Sequence, residues 1–137
     1  MNKTDHAAAM REILREDSRF APEAYRFVQE ALHFTMRALP ERRHVSGAEL
    51  LEGIRKFALQ EFGPMAKTVL NSWGVAKCED FGAIVFNMVN KAILRKRDED
   101  SIEDFAGGYD FDTAFRKPFE AGRRSGTRTR TVKDKPN

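Results

Sequence analysis

The sequence predicts a mainly α-helical, single compact domain with a C-terminal aromatic clamp segment and a disordered basic tail. Three observations predict it. Apolar residues recur at three- and four-residue steps from about residue 4 to residue 94, the period of a helix face. Helix starts and stops punctuate that run at Pro22, Ser46, Gly63, Pro64 and Gly74. Beyond Ala121 almost nothing apolar remains, so burial there cannot offset the entropy of ordering the chain. The reading is therefore about five main helices over residues 1–120, followed by a tail over 121–137.

The first helix is expected over about residues 4–17, with Thr4 or Asp5 as cap and Met10, Ile13 and Leu14 as a short apolar stripe. The second opens at Pro22, which suits a first helical position because its missing amide hydrogen would have no partner there. Tyr25, Val28, Leu32, Met36 and Leu39 form its stripe, widened by Phe27, Ala31 and Phe34, and Pro40 should end it. Ser46-Gly47-Ala48-Glu49 is a capping box that starts the third helix, which carries Leu50, Leu51, Ile54, Phe57, Ala58 and Phe62 to a stop at Gly63. Pro64 opens a shorter fourth helix closed by Gly74, with Met65, Val69, Leu70 and Trp73 as its apolar positions.

The fifth helix, from about Glu79 to Leu94, has the broadest apolar face (Phe81, Ile84, Val85, Met88, Val89, Ile93) and is expected at the centre of the core. After Lys96 the character changes. Ser101 to Asp104 can cap one turn around Phe105, Asp110 can cap a last short helix holding Phe111 and Phe115, and Pro118 should end it. Phe105, Tyr109, Phe111, Phe115 and Phe119 are expected to clamp onto the body, since burying each contributes about 1.5–3 kcal/mol. A short β-hairpin near residues 92–104 is the main alternative in this region.

The net charge of +3 on 137 residues is unevenly placed. Residues 121–137 hold six cations against one acid, a local charge of +5, which leaves −2 on residues 1–120. Any basic-patch argument therefore rests on the tail. One cysteine, Cys78, excludes an internal disulfide and suits a reducing compartment. With no signal-like N-terminus and no apolar run near the roughly 20 residues of a membrane helix, a soluble, cytoplasmic protein without membrane attachment is expected.

The candidate chemical motifs are weak. Residues 64–94 have the outline of a helix-turn-helix, yet the second helix opens with Glu79 and Asp80 beside Lys77, a poor start for meeting phosphates. The acids from Asp98 to Asp104 fail a calcium loop, which needs an oxygen ligand where Ile102 stands, a glycine where Glu103 stands and a glutamate where Tyr109 stands. Glu30 and His33 have the spacing of one metal-binding pair but no second copy exists, and His6 and His44 have no ligand spacing to them. Cys78 near a helix start could have a lowered thiol pKa, although small-residue packing explains it more simply. Gly107-Gly108 lacks the lysine and preceding strand of a phosphate loop. No catalytic, cofactor-binding or metal-binding residue is assigned. The tail cations Arg123, Arg124, Arg128, Arg130, Lys133 and Lys135, interleaved with threonines, are the candidate phosphate contacts.

The segments AYRFVQEALHFT (24–35), RHVSGAELLEGIRKFALQEFG (43–63), TVLNSWGV (68–75), EDFGAIVFNMV (79–89) and EDFAGGYDFDTAFRKPFE (103–120) together resemble a bacterial family restricted to Verrucomicrobia and Planctomycetes. The resemblance spans roughly residues 20–120 and implies a single domain of this length. That family has no established activity, cofactor or substrate to carry over, and the basic tail lies outside it. The expected function is a non-enzymatic protein-interaction module with a protein partner. The alternative is a nucleic-acid or ribosome-associated factor acting through the tail, with or without the helix pair at 64–94.

Overall fold

The computed structural model describes residues 3–41, 43–96 and 100–121. Its helices are α1 (Lys3–Glu16), α2 (Pro22–Arg37), α3 (Gly47–Phe62), α4 (Ala66–Ser72), α5 (Cys78–Asn90) and a short α6 (Lys117–Ala121). Two 3-10 turns, Gly63–Met65 and Ile102–Phe105, and a π turn, Asp112–Arg116, complete the regular structure. The five main helices are as expected, and the described residues contain no strand.

The start signals work as their chemistry requires. Pro22 occupies the first turn of α2 behind an extended Ala21. At α3 the Ser46 hydroxyl accepts from the Glu49 amide (3.1 Å) while the Glu49 carboxylate accepts from the Ser46 amide (3.0 Å). The ends hold surprises. The second helix stops at Arg37, three residues before Pro40, as Ala38 and Leu39 donate to the carbonyls of Thr35 and Met36 and tighten the last turn. Pro64 lies in a 3-10 turn rather than in α4 itself. The fifth helix ends at Asn90 rather than Leu94, because Ala92 takes a left-handed conformation (φ +61°). The Ala92 amide donates to the Val89 carbonyl and the Ile93 amide to the Met88 carbonyl, a Schellman closure built without glycine.

That closure and a second cap correct the hairpin alternative at 92–104. Residues 92–94 turn, the Ser101 hydroxyl and Asp104 carboxylate cap the 3-10 turn at Ile102–Phe105, and the described residues of 92–104 contain no strand. Pro118 also does not end the last helix, which runs through it to Ala121. In the π turn just before it the Lys117 amide reaches back five residues to the Asp112 carbonyl, and Pro118 falls in the first turn of α6, where a missing amide costs least.

The core is assembled around α5, which packs on α1, α2, α3 and the Ile102–Phe105 turn. Val28, Ile54, Leu70, Phe81, Ile84 and Met88 are wholly enclosed. Phe27 gathers Phe57, Phe62 and Trp73 around it with ring centroids 5.5–5.7 Å away. The aromatic clamp closes the other side. Phe105, Phe111 and Phe115 are buried, the last two rings edge-to-face at 5.0 Å, and the Tyr109 hydroxyl donates to the Leu51 carbonyl at 2.9 Å.

Two glycines permit close approaches. A Cβ on Gly82 would stand 2.9 Å from the Phe105 Cβ, so the clamp seats on α5 only over a bare backbone. Gly74, at φ +91°, lies against the Arg19 carbonyl, where a Cβ would come to 2.1 Å. There the Ala21 amide donates to the Trp73 carbonyl (3.0 Å), stitching the α1–α2 turn to the end of α4.

Candidate functional site

The tail cations Arg123, Arg124, Arg128, Arg130, Lys133 and Lys135 lie outside the described residues. The remaining sequence candidates are scattered. Glu30 and His33 are exposed on the outer side of α2, and the described residues contain no group of three or more histidine, cysteine or acidic side chains able to hold a metal ion. Asp104, from the acidic stretch, is consumed as a cap for Ser101. No described helix is long and apolar enough to cross a membrane.

Cys78 is enclosed at the start of α5. Its sulfur accepts from the Tyr109 amide (3.3 Å) and its thiol donates to the Tyr109 carbonyl (3.4 Å). Burial pushes the thiol above its ordinary pKa and outweighs the hydrogen bonds with Tyr109, which lower it. Tyr109 itself is held well above the usual phenol range, again by burial. The pair is a packing joint between α5 and the clamp.

Cys78, Phe81, Gly82, Ile84 and Met88 of α5 face inward, and the Ile102–Phe105 turn covers the helix. Glu79, exposed at its first turn, accepts from the Gly107 amide. A recognition helix lays a cationic, polar face in the major groove, and the exposed start of α5 sets Glu79 beside Lys77.

What the tertiary structure assembles, and the sequence did not announce, is an apolar cleft of about 230 Å³. Leu32 and Met36 of α2, Leu50 of α3, and Val85, Phe86 and Val89 of α5 supply its walls, with Phe105 and Leu94 closing one end. These side chains belong to three different helices, and all but Phe86 stand in the apolar stripes that the sequence assigns to the core. Leu32, Val85, Phe86 and Val89 remain half-exposed there, and Met36 is exposed.

The rim is polar and mostly self-satisfied. The His44 ring nitrogen pairs with the Asp100 carboxylate at 2.7 Å, tying those two segments together beside the cleft. Arg43 forks onto Glu49 (2.9 and 2.6 Å) and also donates to the His44 carbonyl (3.1 Å). That fork, with the Ser46 amide, holds the Glu49 carboxyl down at about 2. Ser46 and Ser101 accept as helix caps. A binding cleft, rather than a set of convergent reactive groups, is what this arrangement offers chemically.

Beyond Met36 the cleft adjoins a second, shallower depression lined by His33, Met36, Arg37 and Arg43. Met36, 40% exposed, and Arg43 belong to both. An apolar slot thus runs onto a cationic shelf.

No family model, curated protein or solved structure matches this chain. The resemblance to the restricted bacterial family therefore rests on the quoted segments alone.

Proposed function

We propose that this chain is a non-enzymatic protein-interaction module whose contact surface is the cleft between α2, α3 and α5. The observation that carries the reading is the cleft itself, apolar on three helices and bordered by polar groups most of which already have partners. At about 230 Å³ it lies below the roughly 300–1,000 Å³ of pockets that enclose drug-sized ligands or cofactors. It suits an apolar side chain presented by another protein, the kind of anchor that dominates interface energetics. The test is affinity capture from native extract with the full chain, a chain ending at residue 120, and the cleft-filling variant Val89→Trp. A protein retained by the first two and lost from the third supports the reading. Equal retention by all three sinks it.

The second reading, a nucleic-acid or ribosome-associated factor, is favoured by the six tail cations set against one acid. It predicts RNA bound only by the full chain, with affinity falling steeply as salt rises. Binding that survives removal of residues 121–137, or ignores salt, counts against it.

A further inference from the structure

We infer that the partner segment is acidic: an apolar anchor enters the cleft while carboxylates beside it lie against Arg37 on the adjoining shelf. The inference rests on the cleft being the contact surface. Its independent support is the charge around the slot. The shelf is lined by three basic side chains and Met36, with no acid among its lining residues. Arg37 is exposed and has no ion-pair partner among the described residues. Glu41 acts on the Arg43 charge from nearby, while the acids that line the cleft, and Glu49 beside it, are occupied internally. Glu49 is held by Arg43, Asp100 by His44, and Asp104 caps Ser101. Arg95, at the opposite lip, is exposed and also has no ion-pair partner among the described residues.

The same charges argue against the other occupants. The chain's own tail carries a local charge of +5 and would be repelled by Arg37. A nucleic acid would use the shelf for phosphates but has nothing that requires the apolar slot. An acidic segment with an apolar anchor uses both. Arg37 flanking such an anchor would act mainly on encounter rate and partner choice, as rim charges do.

The experiment titrates the full chain with dye-labelled peptides followed by fluorescence anisotropy. One peptide carries a Leu-Phe pair flanked by glutamates, a second the same pair flanked by lysines, and a third Ala-Ala flanked by glutamates. The first should bind at least about tenfold more tightly than either of the others. Arg37→Glu should weaken it by about the same factor, and raising salt should weaken it in parallel. Backbone amide shifts on the unaltered protein should move at Leu32, Met36, Leu50 and Val89, which locates the peptide without relying on a variant that has to fold.

Equal binding of the glutamate- and lysine-flanked Leu-Phe peptides, unaffected by Arg37→Glu, overturns the acidic preference and leaves the cleft reading standing. Failure of every Leu-Phe peptide up to millimolar concentration overturns both. Tight binding of polyuridine that Arg37→Glu abolishes and Val89→Trp leaves intact makes the shelf a phosphate site and overturns the inference. So does self-association of the chain that Val89→Trp removes, since a second copy would then fill the slot.

Discussion

Gly53 of α3 packs its bare backbone against Thr35 of α2: a Cβ placed on Gly53 would stand 1.7 Å from the Thr35 hydroxyl oxygen and 2.9 Å from its Cβ. Thr35 is buried, and its hydroxyl donates to the Ala31 carbonyl at 2.7 Å, so it has a reason to stay where it is. Gly53→Ala should therefore force α2 and α3 apart and destabilise by about 1–3 kcal/mol, the usual range for overpacking. In a Thr35→Ala background the same change should cost less, with a coupling of about 1 kcal/mol measured by urea denaturation. Additive costs would mean that the helices separate without strain.

Ala92 invites the opposite result. It holds a left-handed conformation at the end of α5, where an alanine costs roughly 1–2 kcal/mol relative to its usual geometry. Ala92→Gly should stabilise the protein by about 0.5–1 kcal/mol and raise its thermal midpoint, even though glycine is otherwise a poor residue near a helix. A lower midpoint would show that the Schellman closure does not form.

The Asn87 side chain donates to both the Asp17 carboxylate and the Tyr25 hydroxyl, each at 3.0 Å, and thereby ties α5 to α2 and to the α1–α2 turn. Tyr25 is almost completely enclosed. Asn87→Ala should leave that hydroxyl without its donor and cost about 1–3 kcal/mol in denaturant midpoint measurements. Tyr25→Phe should be milder in the Asn87→Ala background than alone. Equal effects in the two backgrounds would disconnect the pair.

Acid should loosen the start of α3 in a defined window. The Arg43 guanidinium, followed by the Ser46 amide, holds Glu49 at about 2, below its ordinary 4.5. A carboxyl depressed by folding stabilises fully above its unfolded value, and the contribution fades as pH falls from about 4.5 toward 2. Asp17, held well below the usual carboxylate range chiefly by Arg19, acts with the same sign. Glu49→Gln should be less stable than the parent at neutral pH and show a shallower loss on acidification, read from urea midpoints along the pH series. An unchanged slope would remove Glu49 from the account.

Cys78 should behave as a buried structural thiol. In native buffer a disulfide-exchange reagent should label it slowly, at a rate set by opening of the clamp, and it should react at once in denaturant. Gly108→Ala, whose new Cβ would stand 3.0 Å from the Cys78 sulfur and 2.7 Å from a Leu51 methyl, should speed that labelling by weakening the clamp. Fast native labelling would mean that the sulfur is accessible.

The sequence by itself determined the helical class, the capped start of α3, the proline start of α2 and the aromatic clamp, because periodicity, caps and turn residues act within a few residues of chain. It misplaced the end of α5, since Ala92 carries no local sign of a left-handed conformation that the packing of Ile93 and Leu94 imposes. It was silent on the His44–Asp100 pair and on the cleft. Leu32, Leu50 and Val89 each read as core because an apolar residue on a helix face looks the same whether a neighbour covers it or not. Only the tertiary structure decides which apolar faces the helices cover. Here Leu32 of α2, Leu50 of α3 and Val89 of α5 line one cleft beside the His44–Asp100 pair, and packing at long sequence distance makes that cleft out of residues that local chemistry assigns to the interior.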